Sequence, residues 1–298
     1  MDTYPELTRH GDVSLNSPVM LAAFRGWNDA GEAATFAAAH LARVWSTQLV
    51  ASIYPEDFYD FQAVRPQVQL VDGLSREISW PSNEFSATRL VGGPHDVIIL
   101  VGTEPNLRWR RFSQLVTSVA QEHHAHLVIT LGALLADVPH SRPTPITGTA
   151  DNDELVADLD LQRSHYEGPT GIVGVVHDAL SETEIRSASL WAAVPHYLAV
   201  SPNPKAALAL VNRATSLVGA PAEIDELQRA SEVYESRVSE MVSQDEDVSA
   251  YVKMLEQRTD QPAEMGEGPI PSGEALAAEL ERFLQERNDG EGGPPSRP

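Results

Sequence analysis

The stretch Phe24-Arg25-Gly26-Trp27-Asn28-Asp29-Ala30-Gly31 decides the fold of this chain. It follows an apolar run over residues 18–23 and opens into an alanine-rich segment, residues 32–44, with helical periodicity. This pattern predicts a strand, a tight polar turn and a helix. In α/β proteins such a turn lies at the carboxyl end of a strand, where ligands and partners usually bind. We therefore expect a candidate site at this turn.

Short apolar runs alternate with amphipathic stretches up to about residue 220. The apolar runs are rich in β-branched or aromatic residues and are bounded by Gly, Pro, Asn or Asp, which is typical of strands. The pattern predicts strands over 18–24, 49–53, 67–71, 77–80, 96–101, 127–130 and 189–194, and helices over 30–44, 107–123, 152–159, 171–180 and 205–217. Such alternation predicts a largely parallel sheet with helices on both faces. Residues 66–90 are an antiparallel exception, because Asp72-Gly73 favours a hairpin turn.

From Pro221 onward the pattern changes to a heptad seam with charged flanks. Its apolar positions are Ile224, Leu227, Tyr234, Val238, Met241, Val248, Val252 and Leu255. Ser243 or Asp245 can cap a second helix, so the segment is either one long helix or a helical hairpin. The seam packs either on the chain's own core or on another subunit. We predict an α/β domain over 1–220, a helical appendage over 221–288 with a short amphipathic helix at 274–287, and a disordered tail over 289–298.

The chain is strongly acidic, with 43 acids, 21 bases and a formal net charge of −22. Such a surface repels nucleic acid and anionic membranes, so we predict neither as a partner. No apolar run approaches the ~18 residues of a membrane span. The first residues lack the basic region of a secretory signal, so we expect a cytoplasmic protein. The absence of cysteine excludes disulfides, thiolate catalysis and cysteine-ligated metals.

The turn after the first predicted strand supplies four candidate ligand-binding residues, Arg25, Trp27, Asn28 and Asp29. A structural interpretation competes with this one. Asn28 or Asp29 can cap the following helix, and Trp27 can cover the edge of the core. Arg25 is left unexplained by that interpretation, because a cation at a strand end suits a carboxylate or phosphate.

A second candidate loop carries His140 and Arg142, and combines an acid–base group with an anion-binding group. It leaves the predicted strand 127–130. Since the carboxyl ends of parallel strands collect on one edge of a sheet, we predict Arg25, Asp29 and His140 in one surface region.

Motifs of known chemistry are missing or weak. Gly168, Gly171 and Gly174 do not have the dinucleotide-loop spacing, so a packed turn accounts for them better. The histidines at 123, 124 and 126 lack the helical spacing of a metal site. The sequence contains no G-x-S-x-G, H-E-x-x-H or D-x-D-x-D-G motif. We predict no catalytic residues, no metal and no cofactor.

Five blocks of the sequence resemble the proteasome assembly chaperone 2 family, in the branch typical of actinobacteria. They are the segment 18–31 and the blocks 97–106, 130–143, 166–174 and 189–197. The second block ends in a strand-to-loop segment with Glu104, which we add to the candidate ligand-binding residues. The resemblance implies a three-layer α/β/α sandwich similar to the phosphorylase/hydrolase fold. The resemblance also implies that the protein functions as an assembly chaperone.

Two functions follow from these observations. The first is a protein-interaction or assembly-chaperone-like module of unknown client. The second is a small-ligand-binding protein or enzyme of the phosphorylase/hydrolase type, with a polar pocket built on Arg25, Asp29, His140 and Arg142. A deep pocket where these side chains converge favours the second function, and a flat or apolar surface favours the first. We also expect self-association as a small homo-oligomer, because the heptad seam and the 274–287 helix offer a large apolar surface.

Overall fold

A nine-stranded mixed sheet forms the centre of the fold. The computed structural model describes residues 4–72, 75–150, 152–164, 166–198 and 201–261. The strands are β1 Leu7–Arg9, β2 Val19–Arg25, β3 Gln48–Ile53, β4 Gln67–Val71, β5 Ser75–Ser79, β6 Asn83–Thr88, β7 Val97–Thr103, β8 Leu127–Ala136, β9 Ile146–Ala150, β10 Gln162–Arg163 and β11 Arg186–Pro195. The order in the sheet is β1-β3-β6-β7-β2-β8-β11-β9-β10, and β4 and β5 form a separate two-stranded sheet.

Helices cover both faces of this sheet. They are α1 Ala33–Val44, α2 Trp109–Glu122, α3 Asp153–Asp158, α4 Ile172–Ser181, α5 Pro204–Val218, α6 Asp225–Ser243 and α7 Glu246–Asp260. Successive residues of β2 point to opposite faces. Leu21 packs in a core with α1 and α5, whereas Met20 and Phe24 pack in a second core with α2 and α4. This arrangement confirms the predicted three-layer α/β/α sandwich, and its likeness to the phosphorylase/hydrolase fold stays a prediction.

The sheet is parallel only in its centre. Strands β7, β2, β8 and β11 run parallel to one another, but β6 pairs antiparallel with β7 and β9 pairs antiparallel with β11. The connection from β6 to β7 spans residues 89–96 and holds no helix, so it returns the chain as a hairpin does. The predicted antiparallel pairing of residues 67–71 is confirmed by β4 and β5, and Gly73 of the predicted turn lies outside the described residues.

Most of the heptad seam after Pro221 is buried within the chain, although Met241 is 39% exposed. Leu227 joins the core under α1 and α5, and Tyr234 and Val238 of α6 form a small cluster with Val252 of α7. The Asp245 carboxylate accepts a hydrogen bond from the N–H of Val248 at 3.1 Å, which caps α7 as predicted. Because its own chain covers most of the seam, the seam no longer supplies the large apolar surface that we expected for self-association.

The first of two compact units contains the sheet and the seven helices described above. It consists of residues 1–164 and 169–260, and residues 165–168 and 261–298 are assigned to the second. The predicted helix at 274–287 and the tail at 289–298 lie outside the described residues, and the boundary at 220 stays a prediction. No helix in the described part of the chain is long and apolar enough to cross a membrane.

Candidate functional site

The turn after β2 is held in shape by Glu104, which follows β7. The N–H of Glu104 donates to the Arg25 carbonyl at 2.8 Å, and the N–H of Trp27 donates to the Glu104 carboxylate at 3.3 Å. Gly26 has φ of 138°, and a Cβ there would lie 3.1 Å from the Cβ of Glu104. The glycine is therefore needed both for its backbone conformation and for the close approach of the Glu104 side chain.

Glu104 also supplies a negative charge to the amino end of α4. Its carboxylate accepts a hydrogen bond from the N–H of Ile172 at 2.8 Å. A helix amino end favours an anion, because its N–H groups are unpaired and its dipole is positive there. Since the chain's own carboxylate occupies this end, the segment at Gly171 is a packed turn and not an open phosphate loop.

Asp29 likewise places a carboxylate at the amino end of α1. Its carboxylate accepts hydrogen bonds from the N–H of Ala34 at 2.7 Å and from the N–H and hydroxyl of Thr35 at 3.3 and 2.5 Å. The side chain is buried. Burial raises the pKa of Asp29, although the hydrogen bonds from Thr35 and Ala34 oppose that shift. Asp29 is therefore the helix cap that the sequence allowed, and its carboxylate points into the chain.

The other three residues of the turn differ in exposure. The backbone carbonyl of Asn28 accepts a hydrogen bond from the N–H of Ala133 in β8 at 2.9 Å. The side-chain amide nitrogen of Asn28 is buried and has no hydrogen-bond partner among the described residues. Trp27 is 64% exposed, so the suggestion that it covers the core edge is wrong. Arg25 is exposed and forms no ion pair with any residue in the described ranges. The turn thus presents an indole and a guanidinium to its surroundings.

His140 lies buried beneath α6. The backbone N–H of His140 donates to the Tyr197 hydroxyl at 2.8 Å. On the imidazole ring, Nδ1 lies 2.8 Å from the same Tyr197 hydroxyl, and Nε2 lies 3.1 Å from the Ser239 hydroxyl of α6. Both ring nitrogens of His140 are hydrogen-bonded when the Tyr197 hydroxyl donates to Nδ1 and Nε2–H donates to the Ser239 hydroxyl. Burial, reinforced by the positive charge of Lys205, lowers the pKa of His140. Both effects favour a neutral imidazole.

The rest of this loop is attached to the C-terminal helices. Arg142 forms a bidentate pair with Asp260 of α7 at 2.7 and 2.6 Å. The Ser141 hydroxyl donates to Glu256 of α7, and Lys205 donates to the His140 carbonyl and to Glu235 of α6. Sequence reasoning missed all the partners on α6 and α7, because no local motif marks an acid as the partner of a distant base.

The predicted site residues share one edge of the sheet but do not converge. They follow β2, β7 and β8, which are neighbouring parallel strands. Asp29, Glu104, His140 and Arg142 are each bonded to a different part of the chain. A small cavity beside His140 includes none of Arg25, Asp29 or Arg142, and is lined by Val138, Pro139, His140, Thr144, Ala193, Pro195, Asn203, Lys205 and Tyr234. Within the described ranges no cluster of three His, Asp or Glu side chains is placed to hold a metal ion.

The same edge exposes large side chains. Trp27, Tyr54 and Leu107 are 64%, 53% and 49% exposed, and they follow β2, β3 and β7. Strand β3 runs parallel to β7, because each pairs antiparallel with β6. We call Arg25, Trp27, Tyr54 and Leu107 the rim. Its four side chains are exposed and not enclosed.

Sequence comparison identifies the family. A family model described as the PAC2 family matches residues 23–242. The chain belongs to the PAC2 family. Membership confirms the family that the five sequence blocks predicted. A comparison of this PAC2 chain with curated proteins finds no match.

Solved structures of the PAC2 family and related proteins share the fold. A PAC2 family protein from Streptomyces avermitilis is 43% identical, with a TM-score of 0.72 over 79% of this chain and 99% of that chain. A proteasome-assembly chaperone homologue from Mycobacterium tuberculosis is 41% identical, with a TM-score of 0.71 over 78% and 99%. An archaeal proteasome activator from Pyrococcus furiosus, 17% identical with a TM-score of 0.65 over 79% and 97%, shares the fold alone.

Proposed function

We propose that this PAC2 family chain is an assembly-chaperone-like module that binds a partner protein through the rim. The observation that carries the proposal is the state of the sheet's carboxyl edge. Carboxylates of the chain itself occupy the amino ends of α1 and α4 there, and the loop at His140 is bonded to α6 and α7. What the edge offers to another molecule is therefore the exposed rim.

The composition of the rim suits a protein interface. Trp, Tyr and Arg are the residue types most enriched among those that dominate binding energy between proteins. The backbone at Trp27 is held in place, since the Trp27 N–H donates to the Glu104 carboxylate and the Asn28 backbone carbonyl accepts from the N–H of Ala133. A fixed backbone reduces the conformational entropy that the turn loses on binding, which favours affinity.

The family supports the same proposal and suggests which client to test first. The relative from Mycobacterium tuberculosis that is 41% identical is described as a proteasome-assembly chaperone homologue. We therefore place proteasome subunits first among the candidate clients. Nucleic acid and membranes remain unfavourable partners, because the net charge of −22 opposes both.

The alternative of a small-ligand pocket receives less support from the geometry. Of its four proposed side chains, Asp29, His140 and Arg142 are already hydrogen-bonded within the chain. Of the four, Arg25 alone is exposed and without an ion pair among the described residues, so its guanidinium can meet a ligand. We propose no catalytic step for this site.

Affinity capture from the native host tests the proposal. The tagged full-length chain is cross-linked in lysate, and captured proteins are quantified by mass spectrometry against a Trp27→Ala variant. We expect subunits of one protein complex, proteasome subunits first, to be enriched with the wild type and depleted with the variant. Equal recovery with both proteins, or a retained small molecule in native mass spectrometry without any enriched protein, would contradict the proposal.

A further inference from the structure

The loop after β8 ties α6 and α7 to the carboxyl edge of the sheet. We call residues 137–142 the tether loop. Its bonded pairs are His140 with Ser239 of α6, Ser141 with Glu256 of α7 and Arg142 with Asp260 of α7. The same two helices bury an apolar cluster, which packs against Tyr197 and consists of Tyr234, Val238, Val242 and Val252. Release of the helices from the tether loop would therefore expose apolar surface.

His140 lies within the tether loop and is bonded at four points. The residue is 5% exposed. Its backbone N–H and its Nδ1 both lie 2.8 Å from the Tyr197 hydroxyl, and its Nε2 lies 3.1 Å from the Ser239 hydroxyl. The His140 carbonyl accepts a hydrogen bond from the Lys205 ammonium of α5. One residue thus joins α5, α6 and the segment after β11.

The hydrogen bond between Tyr197 and Nδ1 requires a neutral imidazole. The Tyr197 oxygen accepts the backbone N–H of His140, and its own single hydrogen donates to Nδ1. A proton added at Nδ1 would face the hydroxyl hydrogen, so this hydrogen bond would break. The hydroxyl itself does not ionise in mild acid, because burial raises the pKa of Tyr197 to about 12 and that of Tyr234 on α6 likewise to about 12.

The charges that face His140 from the three helices also favour the neutral ring on balance. Lys205 of α5 holds its ammonium against the His140 carbonyl. Glu235 of α6 and Glu256 of α7 act in the opposite direction, but their carboxylates are bonded to Lys205 and to the Ser141 hydroxyl. Burial, which is the larger effect, and Lys205 outweigh the two carboxylates, so the pKa of His140 is lowered.

The other charged groups of the tether loop do not loosen it in mild acid. The Arg142 guanidinium lowers the pKa of Asp260, so this pair stays charged well below neutral pH. The Asp137 carboxylate lies 3.0 Å from Nδ1 of His196, and protonation of that imidazole would strengthen the pair. His140 is therefore the link in this loop whose loss acid favours.

We propose that the tether loop is a proton-sensitive switch, which holds α6 and α7 in place at neutral pH and loosens both helices in mild acid. In the loosened state His140 meets water and regains its ordinary pKa of about 6.5, whereas in the attached state its pKa is lower. Attachment is therefore fully favoured above about pH 6.5, and opening increases by at most about tenfold per pH unit below it. The inference does not depend on the proposed client, because the tether loop and the rim share no residue.

Hydrogen-exchange mass spectrometry of the full-length protein tests this inference over roughly pH 5.5 to 7.5, where histidine titrates. After correction for intrinsic exchange rates, we expect protection in α6 and α7 of the wild type to fall at least about twofold toward the acidic end. Protection in α1 and α2 should not change. His140→Gln should remove most of this dependence on pH, and the exposed His10→Gln should keep it.

Tyr197→Phe provides a second variant, which keeps the aromatic ring. Without the hydroxyl, Nδ1 takes up a proton and breaks no hydrogen bond, so the response to pH should be flatter than in the wild type. The inference would be overturned by protection of α6 and α7 that does not change with pH, or by a wild-type response in either His140→Gln or Tyr197→Phe. An equal fall of protection in α1 and α2 would assign the effect to the whole fold and would also overturn it.

Discussion

Glu104 and Ile172 are joined by a hydrogen bond of 2.8 Å from the N–H at the start of α4 to the Glu104 carboxylate. The same carboxylate also accepts a hydrogen bond from the backbone N–H of Trp27. One side chain therefore satisfies a helix amino end and fixes the turn that carries the most exposed aromatic residue of the rim. This link is the reason why we treat Glu104 as a support for the rim and not as a ligand-binding residue.

Removal of this carboxylate should destabilise the fold. We expect Glu104→Ala to lower the free energy of unfolding by about 1–2 kcal/mol, as loss of a helix cap does. Glu104→Gln should cost less, because it keeps an acceptor oxygen. Urea unfolding measures the free energy of unfolding of both variants, with Glu56→Ala, a change at an exposed residue, as the control. Equal stability of Glu104→Ala and Glu56→Ala would refute the supporting role.

His140 should make stability depend on pH in the mildly acidic range. Burial lowers its pKa, so the unfolded chain, with an ordinary value near 6.5, binds the proton more readily than the native state. The stabilising contribution is complete above pH 6.5 and is lost as the pH falls toward the lowered pKa. Urea unfolding between pH 5 and pH 8, roughly the range of histidine titration, should give a flatter stability profile for His140→Gln.

A matched variant separates this effect from the general acid response of the protein. His10 is an exposed histidine, and His10→Gln removes one imidazole without disturbing the loop under α6. The difference between the two variants isolates His140. Identical slopes for His140→Gln and the wild type would show that the imidazole is not held neutral.

Arg142 should hold α7 in place. Loss of its bidentate pair with Asp260 in Arg142→Gln is expected to speed amide exchange in residues 246–260, while exchange in α1 and α2 stays unchanged. The Arg142 guanidinium lowers the pKa of Asp260, so its contribution is present above the ordinary pKa of an aspartate, about 4, and is lost below it.

The control for this experiment is Arg237→Gln. Arg237 is exposed on α6 and forms no ion pair with the residues that the structure describes. Hydrogen-exchange mass spectrometry should detect no change in α7 for this variant. No acceleration of exchange with Arg142→Gln would mean that α7 is held by its apolar contacts alone, and equal acceleration in both variants would mean that loss of any positive charge, and not of this ion pair, is the cause.

Local signals in the sequence were sufficient for the helices and for seven of the eleven strands that the structure describes, whereas β1, β6, β9 and β10 were not predicted. Helical periodicity predicted residues 107–123, and α2 spans Trp109–Glu122. Asp29 and Asp245 were each one of two candidate cap residues, and both accept hydrogen bonds from helix N–H groups. These signals work because the residues involved lie within one or two turns of each other in the chain.

Interactions between distant segments could not be predicted. His140 and Ser239 are 99 positions apart, and Arg142 and Asp260 are 118 apart. With 43 acids in the chain, composition does not indicate which one pairs with Arg142. The predicted strand 127–130 also ended too early. Strand β8 continues to Ala136 because Gly132 leaves room for the ring of Trp191, its partner on β11.

The most direct measurement of the central claim compares client binding by three proteins: the wild type, Trp27→Ala and Val91→Ala. Val91 is fully exposed between β6 and β7, at the opposite edge of the sheet from the rim. With the captured client as probe, we expect Trp27→Ala to weaken binding about 30-fold, as loss of a hot-spot residue of 2 kcal/mol does, and Val91→Ala to bind as the wild type does. Unchanged binding by Trp27→Ala, with the fold intact by circular dichroism, would contradict the account.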